Sequence, residues 1–294
     1  MAAIEPVLVL RGDRRSRRRR IVNRIAEAAA LLAALLAIFV LGIVVWSVAK
    51  RGASELSWGF LTKDLPLFGQ PGGGIAPLIV GSGLLVGIAA AMAVPVGVLI
   101  AVFLEEFAPP AVRVPIQLSV DLLNGLPSII IGVFVFGLLV YGHPQNGWAG
   151  SVGLAIVMLP LITRATQEVL RLVPSAQREG ALALGASRWR MVLGITLPSA
   201  LGGIVTGSVL AIARAAGETA PLLFATSIFA GKVSFNPNHA LPNIPVQIFI
   251  WSESADPEDH KRAWASALVL MLFVLLTSLI ARIALVRSQR KFNR

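Results

Sequence analysis

From Ala28 to Val48 the chain runs without a single charged residue, and similarly apolar stretches recur at about 75–104, 118–141, 149–172, 199–224 and 264–286. Each is close to the ~20 residues a helix needs to cross the hydrocarbon core of a bilayer. In that solvent the chain must satisfy every backbone donor and acceptor itself, so runs of this length restrict the fold to spanning helices. With 56% hydrophobic and 14% charged residues and a mean hydropathy of +0.78, the composition is too apolar for an ordinary soluble domain. The expectation is an all-α integral membrane protein with six transmembrane helices.

The net charge of +11 is not spread evenly. Eight arginines precede residue 25, four basic residues lie between Arg171 and Arg190, and five follow from Arg282 onward. With six spans both termini share one side, and placing that side in the cytoplasm puts these residues and Arg113 inside. Six basic residues (Lys50, Arg51, Lys63, Lys232, Lys261 and Arg262) then lie outside. The positive-inside rule favours this arrangement over nucleic-acid binding as the cause of the charge. The organisation expected is a basic cytoplasmic segment over 1–24, a six-span region over 25–290 and a long external loop over 225–262, in a cytoplasmic membrane with both termini inside. The apolar run after the arginines is too long for a cleaved export signal.

Several connections carry their own signals. Glu105 to Gln117, broken by Pro109, Pro110 and Pro115, reads as a short polar loop. Gly83 and Gly87, one turn apart, predict close helix contact, and Pro95 predicts a kink. Ile244 to Trp251 is apolar but too short to span, and fits either an interfacial or a re-entrant piece.

Charged groups inside such spans cost about 2.5–3.5 kcal/mol each at the helix centre, so they need a reason. Arg164 and Glu168 stand four apart, as do Arg214 and Glu218, a spacing that places each pair on one helical face. Each pair either neutralises itself and ties helices together or lines a pathway. Thr219, Ala220 and Pro221 follow, and Pro221 withholds a donor from the Gly217 carbonyl if the helix continues. Arg offers a charged planar fork of donors suited to an oxyanion. Asp121, Asn124 and Ser128 flank Pro127 near one membrane face, where Asp121 is either functional or a helix-start residue. The substrate pathway is therefore expected among Arg214, Glu218, Thr219, Arg164, Glu168, Asp121, Asn124 and Ser128.

Ser175 to Pro198 is a polar interruption with helix signals of its own. Pro174 and Ser175 mark a start, Gly185 a stop, Ser187 a second start and Pro198 the close. The chain has no cysteine, its three histidines (His143, His239 and His260) lack ligand spacing, and it has no nucleotide-binding loop or hydrolase motif. It is not expected to be an enzyme, and if its transport is driven, the energy enters from elsewhere.

The interruption resembles the coupling loop of bacterial ABC transporter permeases, whose pattern is Glu-Ala-Ala, three residues, Gly, nine residues, Ile, one residue, Leu-Pro. Here it reads Glu179-Gly180-Ala181, Gly185, Ile195, Leu197-Pro198, over a loop at 174–198, with Gly180 the single departure. The resemblance implies a type I importer (MetI-like) permease fold. It also implies that this loop docks on an ATP-hydrolysing partner, which uses ATP and Mg while the permease binds no cofactor. ARAAGETAPLLF from Ala213, with LNGLPSIIIGVF and FLEEFAP, is similar to the phosphate-uptake permeases, more to the PstA-type subunit than to its PstC-type partner. That likeness implies a heterodimer with the PstC-type subunit, two PstB-type ATPases, an extracytoplasmic PstS-type phosphate-binding protein, and an arginine important for transport at Arg214. The alternatives are the PstC-type subunit itself, a permease for sulfate or molybdate, or an ion-driven carrier or channel.

Overall fold

The computed structural model of the protein describes residues 14–66, 72–226 and 231–292. The described residues form helices α1 (Arg14–Gly52), α2 (Trp58–Thr62), α3 (Ala76–Val102), α4 (Pro110–Gly125), α5 (Ser128–Val135) and α6 (Gly147–Leu172). After them come α7 (Ser175–Ala183), α8 (Arg188–Met191), α9 (Leu197–Ala215), α10 (Ala220–Ala225), α11 (Ile244–Ser252) and α12 (Pro257–Phe292). Three wide π-type turns extend α3 (Phe103–Phe107), extend α5 (Phe136–Val140) and join α8 to α9 (Val192–Thr196). Five helical stretches are long and apolar enough to cross a membrane, and a sixth is added if the bent α4–α5 pair is one span.

The chain divides into two compact units, Met1–Lys50 and Arg51–Arg294. In the first, α1 runs unbroken across position 24, and its large apolar side chains from Ile21 to Val44, with Trp46, are exposed.

The second unit is built on α6, which packs most extensively against α3 and α9. Small residues make this possible. A Cβ on Gly97 of α3 would lie 2.9 Å from the Ile162 side chain. On α9, a Cβ on Gly203 would lie 2.5 Å from Val169, and one on Gly207 2.6 Å from Ala165 Cβ. Among the described residues Gly83 and Gly87 make no close helix contact: a Cβ on either meets nothing within 4 Å. The buried ridge of α3 is Gly81, Leu85, Ala89, Ala93 and Gly97, and a two-residue offset from it turns Gly83 and Gly87 about 200° away. They border instead an apolar cavity of about 360 Å³ with Ile212 and Phe273.

The third span is not the single helix expected over 118–141. It begins at Pro110, breaks at Leu126–Pro127 and bends by 100° between α4 and α5. Pro110 is tolerated because it sits in the first turn, where its missing N–H has no partner to lose. Pro127 forces the break: the residue before a proline is driven extended, and Leu126 has φ −71°, ψ 133°. The stretch expected as a polar loop, 105–117, is therefore mostly helix and wide turn. Further on, α9 ends at Ala215 instead of continuing to Phe224, and Ile244 to Trp251 forms α11, whose Ile244, Val246 and Trp251 are buried in the protein.

Candidate functional site

The break in the third span and the end of α9 meet around one cavity of about 230 Å³. Asn124 reaches it from the last turn of α4, Ser128 from the start of α5, Pro160 from α6, Arg214 from the last turn of α9, and Glu218 from the turn that follows. Leu126, Ile131, Val157 and Leu161 complete an apolar wall. The outcome is a small recess with three groups able to donate hydrogen bonds, the Arg214 guanidinium, the Asn124 amide and the Ser128 hydroxyl, beside one carboxylate, Glu218, which accepts them when ionised.

Arg214 and Glu218 do not share a helical face. The Gly217 N–H donates to the Arg214 carbonyl at 3.1 Å and the Glu218 N–H to the Ala215 carbonyl at 3.1 Å, so the chain tightens and leaves the helix before Glu218. No ion pair joins the two residues among the described contacts; both face the cavity from different backbone geometry. Pro221 consequently lies in the first turn of α10, where its missing N–H orphans no helical carbonyl. Thr219 precedes α10 without capping it and does not line the cavity.

The second expected pair also rearranges. Arg164 of α6 pairs with Asp121 of α4 rather than with Glu168, which stays exposed. The carboxylate of Asp121 also accepts from Gln117 Nε2 at 3.1 Å. Asp121 lies three residues before Asn124, so the Asp121–Arg164 tie sits about one turn from the cavity along α4.

The Ser175–Pro198 segment forms two short helices, with a left-handed residue, Gly185 at φ +82°, just past the first. Ser187 caps α8, accepting from the Arg190 N–H at 3.4 Å. Ser175 caps nothing, because it is already the first residue of α7 and the cap position is Pro174. Pro198 does not close the segment either. A wide turn precedes it, with the Leu197 N–H bonded back to the Val192 carbonyl, and α9 runs on through Pro198 in its first turn. Glu179 and Gly180 are exposed, Ala181 is buried, and Ile195 and Leu197 are half-buried. A Cβ on Gly180 would meet nothing within 4 Å, so this departure from Glu-Ala-Ala is sterically neutral. Leu184, 91% exposed, and Trp189, 58% exposed, leave apolar surface beside Glu179.

Sequence reasoning missed a cluster at the base of α3. Glu105 accepts from Arg113 at 2.9 Å, from Arg171 at 2.7 Å and from Gln167 at 3.0 Å, and Gln167 also donates to Gln117 at 2.8 Å. Next to it, Glu106 lies 3.0 Å from Arg178 of α7, and the Phe107 ring stacks on Trp189 of α8 at 4.5 Å. The available signal was two adjacent acids closing an apolar span, followed by an aromatic residue.

The family described as binding-protein-dependent transport system inner membrane component matches residues 93–294. A Yersinia pestis protein named phosphate transport system permease protein PstA is 37% identical over 273 residues, covering 92% of both chains. The protein of that name from Haemophilus influenzae is 35% identical over 263 residues (89% of this chain, 93% of the other), and a Mycobacterium tuberculosis PstA 1 is 34% identical over 272 residues (90% and 88%). In fold, the chain is similar to a subunit of a bacterial alginate ABC transporter (TM-score 0.64, 16% identity, covering 92% of this chain and 99% of that one). It is also similar to one from the MetNI methionine ABC transporter (TM-score 0.57, 17% identity, 73% and 94%). The chain therefore belongs to the family of binding-protein-dependent inner membrane transport components, among the ABC permease subunits related to the phosphate transport system permease proteins.

Proposed function

We propose that this permease subunit carries inorganic phosphate across the cytoplasmic membrane, working by alternating access with ATP hydrolysed by a partner. The observation that carries this is Arg214 beside Asn124, Ser128 and Glu218 on one cavity formed where two helices are interrupted. Arg214 supplies a permanent charge and a fork of donors for phosphate oxygens, Asn124 and Ser128 supply neutral hydrogen bonds, and Glu218 keeps the anion from being held too tightly. The names of the 34–37% identical relatives agree with that substrate.

In this reading the chain pairs with a PstC-type permease, two PstB-type ATPases that use ATP and Mg, and a PstS-type binding protein outside. Both termini and the Ser175–Pro198 segment lie in the cytoplasm, as the distribution of basic residues favours. Glu179, Leu184 and Trp189 then form the surface that meets the ATPase.

The test is phosphate uptake by the complete complex carrying Arg214→Gln, alongside copurification with the ATPase. Uptake is expected to be lost with assembly intact, and normal uptake refutes the role of Arg214. Competition by sulfate and molybdate separates phosphate from the other oxyanions.

A further inference from the structure

We propose that the wide turn Phe103–Phe107 is a transmission clasp, in which Glu106 and Phe107 grip the Ser175–Met191 segment while Glu105 grips α4 and α6, two of the helices that line the cavity. The inference rests on reading that segment as the part that meets the ATPase.

In this wide turn, closed by the Ala108 N–H donating to the Phe103 carbonyl at 2.8 Å, consecutive side chains still point in different directions, so neighbouring residues can serve two sides. On one side, Glu106 approaches Arg178 of α7, Phe107 stacks on Trp189 of α8, and Arg178 also donates to the Leu170 carbonyl of α6 at 2.6 Å. On the other, Glu105 binds Arg113 of α4 and both Gln167 and Arg171 of α6. From there the polar chain continues without a gap: Gln167 to Gln117, Gln117 to Asp121, and Asp121 to Arg164. Asp121 lies one turn from Asn124, and Arg164 one turn from Pro160 and Leu161, which line the cavity. A displacement of α7 and α8 thus has a contiguous route through ion pairs to both α4 and α6.

The two acids are unusually enclosed, their side chains 8% and 6% exposed, which is costly for carboxylates unless they are held by charge. Glu105 is fully held. Glu106 is not: its approach to Arg178 lacks hydrogen-bond alignment, and Glu106 Oε1 and Arg178 Nε have no hydrogen-bond partner among the described residues. Gln167 Oε1 in the Glu105 network is also buried without a partner, so the difference lies in how each acid is held: Glu105 accepts from three side chains on two helices, whereas Glu106 has one misaligned contact with Arg178, which fits a contact with a second arrangement. The Glu106–Arg178 contact is the part of the clasp that changes during the cycle, and Glu105 is the part that does not.

The experiment uses the complete complex in proteoliposomes, measuring labelled phosphate uptake and ATP hydrolysis together. Glu106→Arg and Arg178→Glu are each expected to assemble and hydrolyse ATP while the phosphate moved per ATP falls by about tenfold, a size typical of coupling between linked sites. The reversed pair, Glu106→Arg with Arg178→Glu, is expected to recover to within about threefold, as a double-mutant cycle on a direct contact requires. An unchanged ratio in both single variants overturns the proposal, as does a double variant no better than the singles. Glu106→Gln, nearly isosteric, is expected to assemble and lower the ratio; if it fails to assemble, the turn is only a structural staple and the proposal falls. ATP-independent phosphate entry in the unsubstituted complex would instead refute the ATP-driven reading itself.

Discussion

Gly185 offers a way to separate backbone strain from bulk in the Ser175–Pro198 segment. Its φ of +82° lies in the left-handed region, and a Cβ added there meets nothing within 4 Å. The penalty for Gly185→Ala is therefore conformational alone, about 1–2 kcal/mol, because the Cβ crowds the backbone in that region. At 1.4 kcal/mol per decade this lowers the population of the observed segment geometry by about 5–30-fold. Gly185→Asn should cost less, since Asn visits the left-handed region with local hydrogen bonding. Gly185→Val should cost more than Ala, since a branched side chain there is a genuine outlier. Titrating the proposed ATPase partner against the detergent-solubilised permease gives the affinity for each variant. The expected order is Gly, Asn, Ala, Val from tightest to weakest, with Gly180→Ala, which restores the family pattern in open space, unchanged. Equal binding of the Gly185→Asn and Gly185→Ala proteins, or loss of binding with Gly180→Ala, would refute strain as the controlling term.

Two further substitutions read out the helix packing and the ion pairs. Gly207→Val drives a branched side chain onto Ala165, which cannot rotate away, and is expected to lower stability by about 1–3 kcal/mol, read as an earlier thermal unfolding midpoint. Asp121→Asn breaks a pair that is 40% and 38% exposed, so its cost is expected below about 1 kcal/mol. Glu105→Gln removes the charge from an enclosed group that accepts from two arginines and is expected to cost more, about 1.5–3 kcal/mol, the range for hydrogen bonds to charged groups, since both arginines left behind reach solvent; denaturation of the two variants in the same detergent compares them.

What the sequence made legible is what depends on period and solvent. The apolar runs located the spanning helices because hydrocarbon permits little else, and Gly185 and Ser187 marked the joint between α7 and α8 because those positions need a left-handed residue and a cap. Proline positions misled in both directions. Pro110 and Pro115 suggested a loop but occupy a helix, while Pro127 and the Ala216–Gly217 turn divide stretches that composition alone presents as continuous. The i, i+4 rule then paired Arg214 with Glu218 and Arg164 with Glu168, although the first pair leaves the helix between its members and the second has a better partner across helices in Asp121. Partners 43 to 66 residues apart, such as Asp121 with Arg164 and Glu105 with Arg171, have no local signature.

The location of the cavity follows from the same interruptions. Irregular backbone at membrane depth is tolerated only where protein or a water-filled space satisfies its freed groups. The bend at Leu126–Pro127 and the turn at Gly217–Glu218 both interrupt helical stretches, and residues from both line one recess. Packing such breaks against lipid would strand backbone donors and acceptors in hydrocarbon, whereas gathering them at one recess keeps them within protein. Arg214 and Glu218 add charge to a place already made polar by the backbone, which lowers the cost of keeping them inside a membrane protein. The helix breaks and the charges beside them are thus not independent features of this chain: the bend at Pro127 and the turn at Gly217–Glu218 bring Asn124, Arg214 and Glu218 to one recess, and losing either break would be expected to make Arg214 a liability.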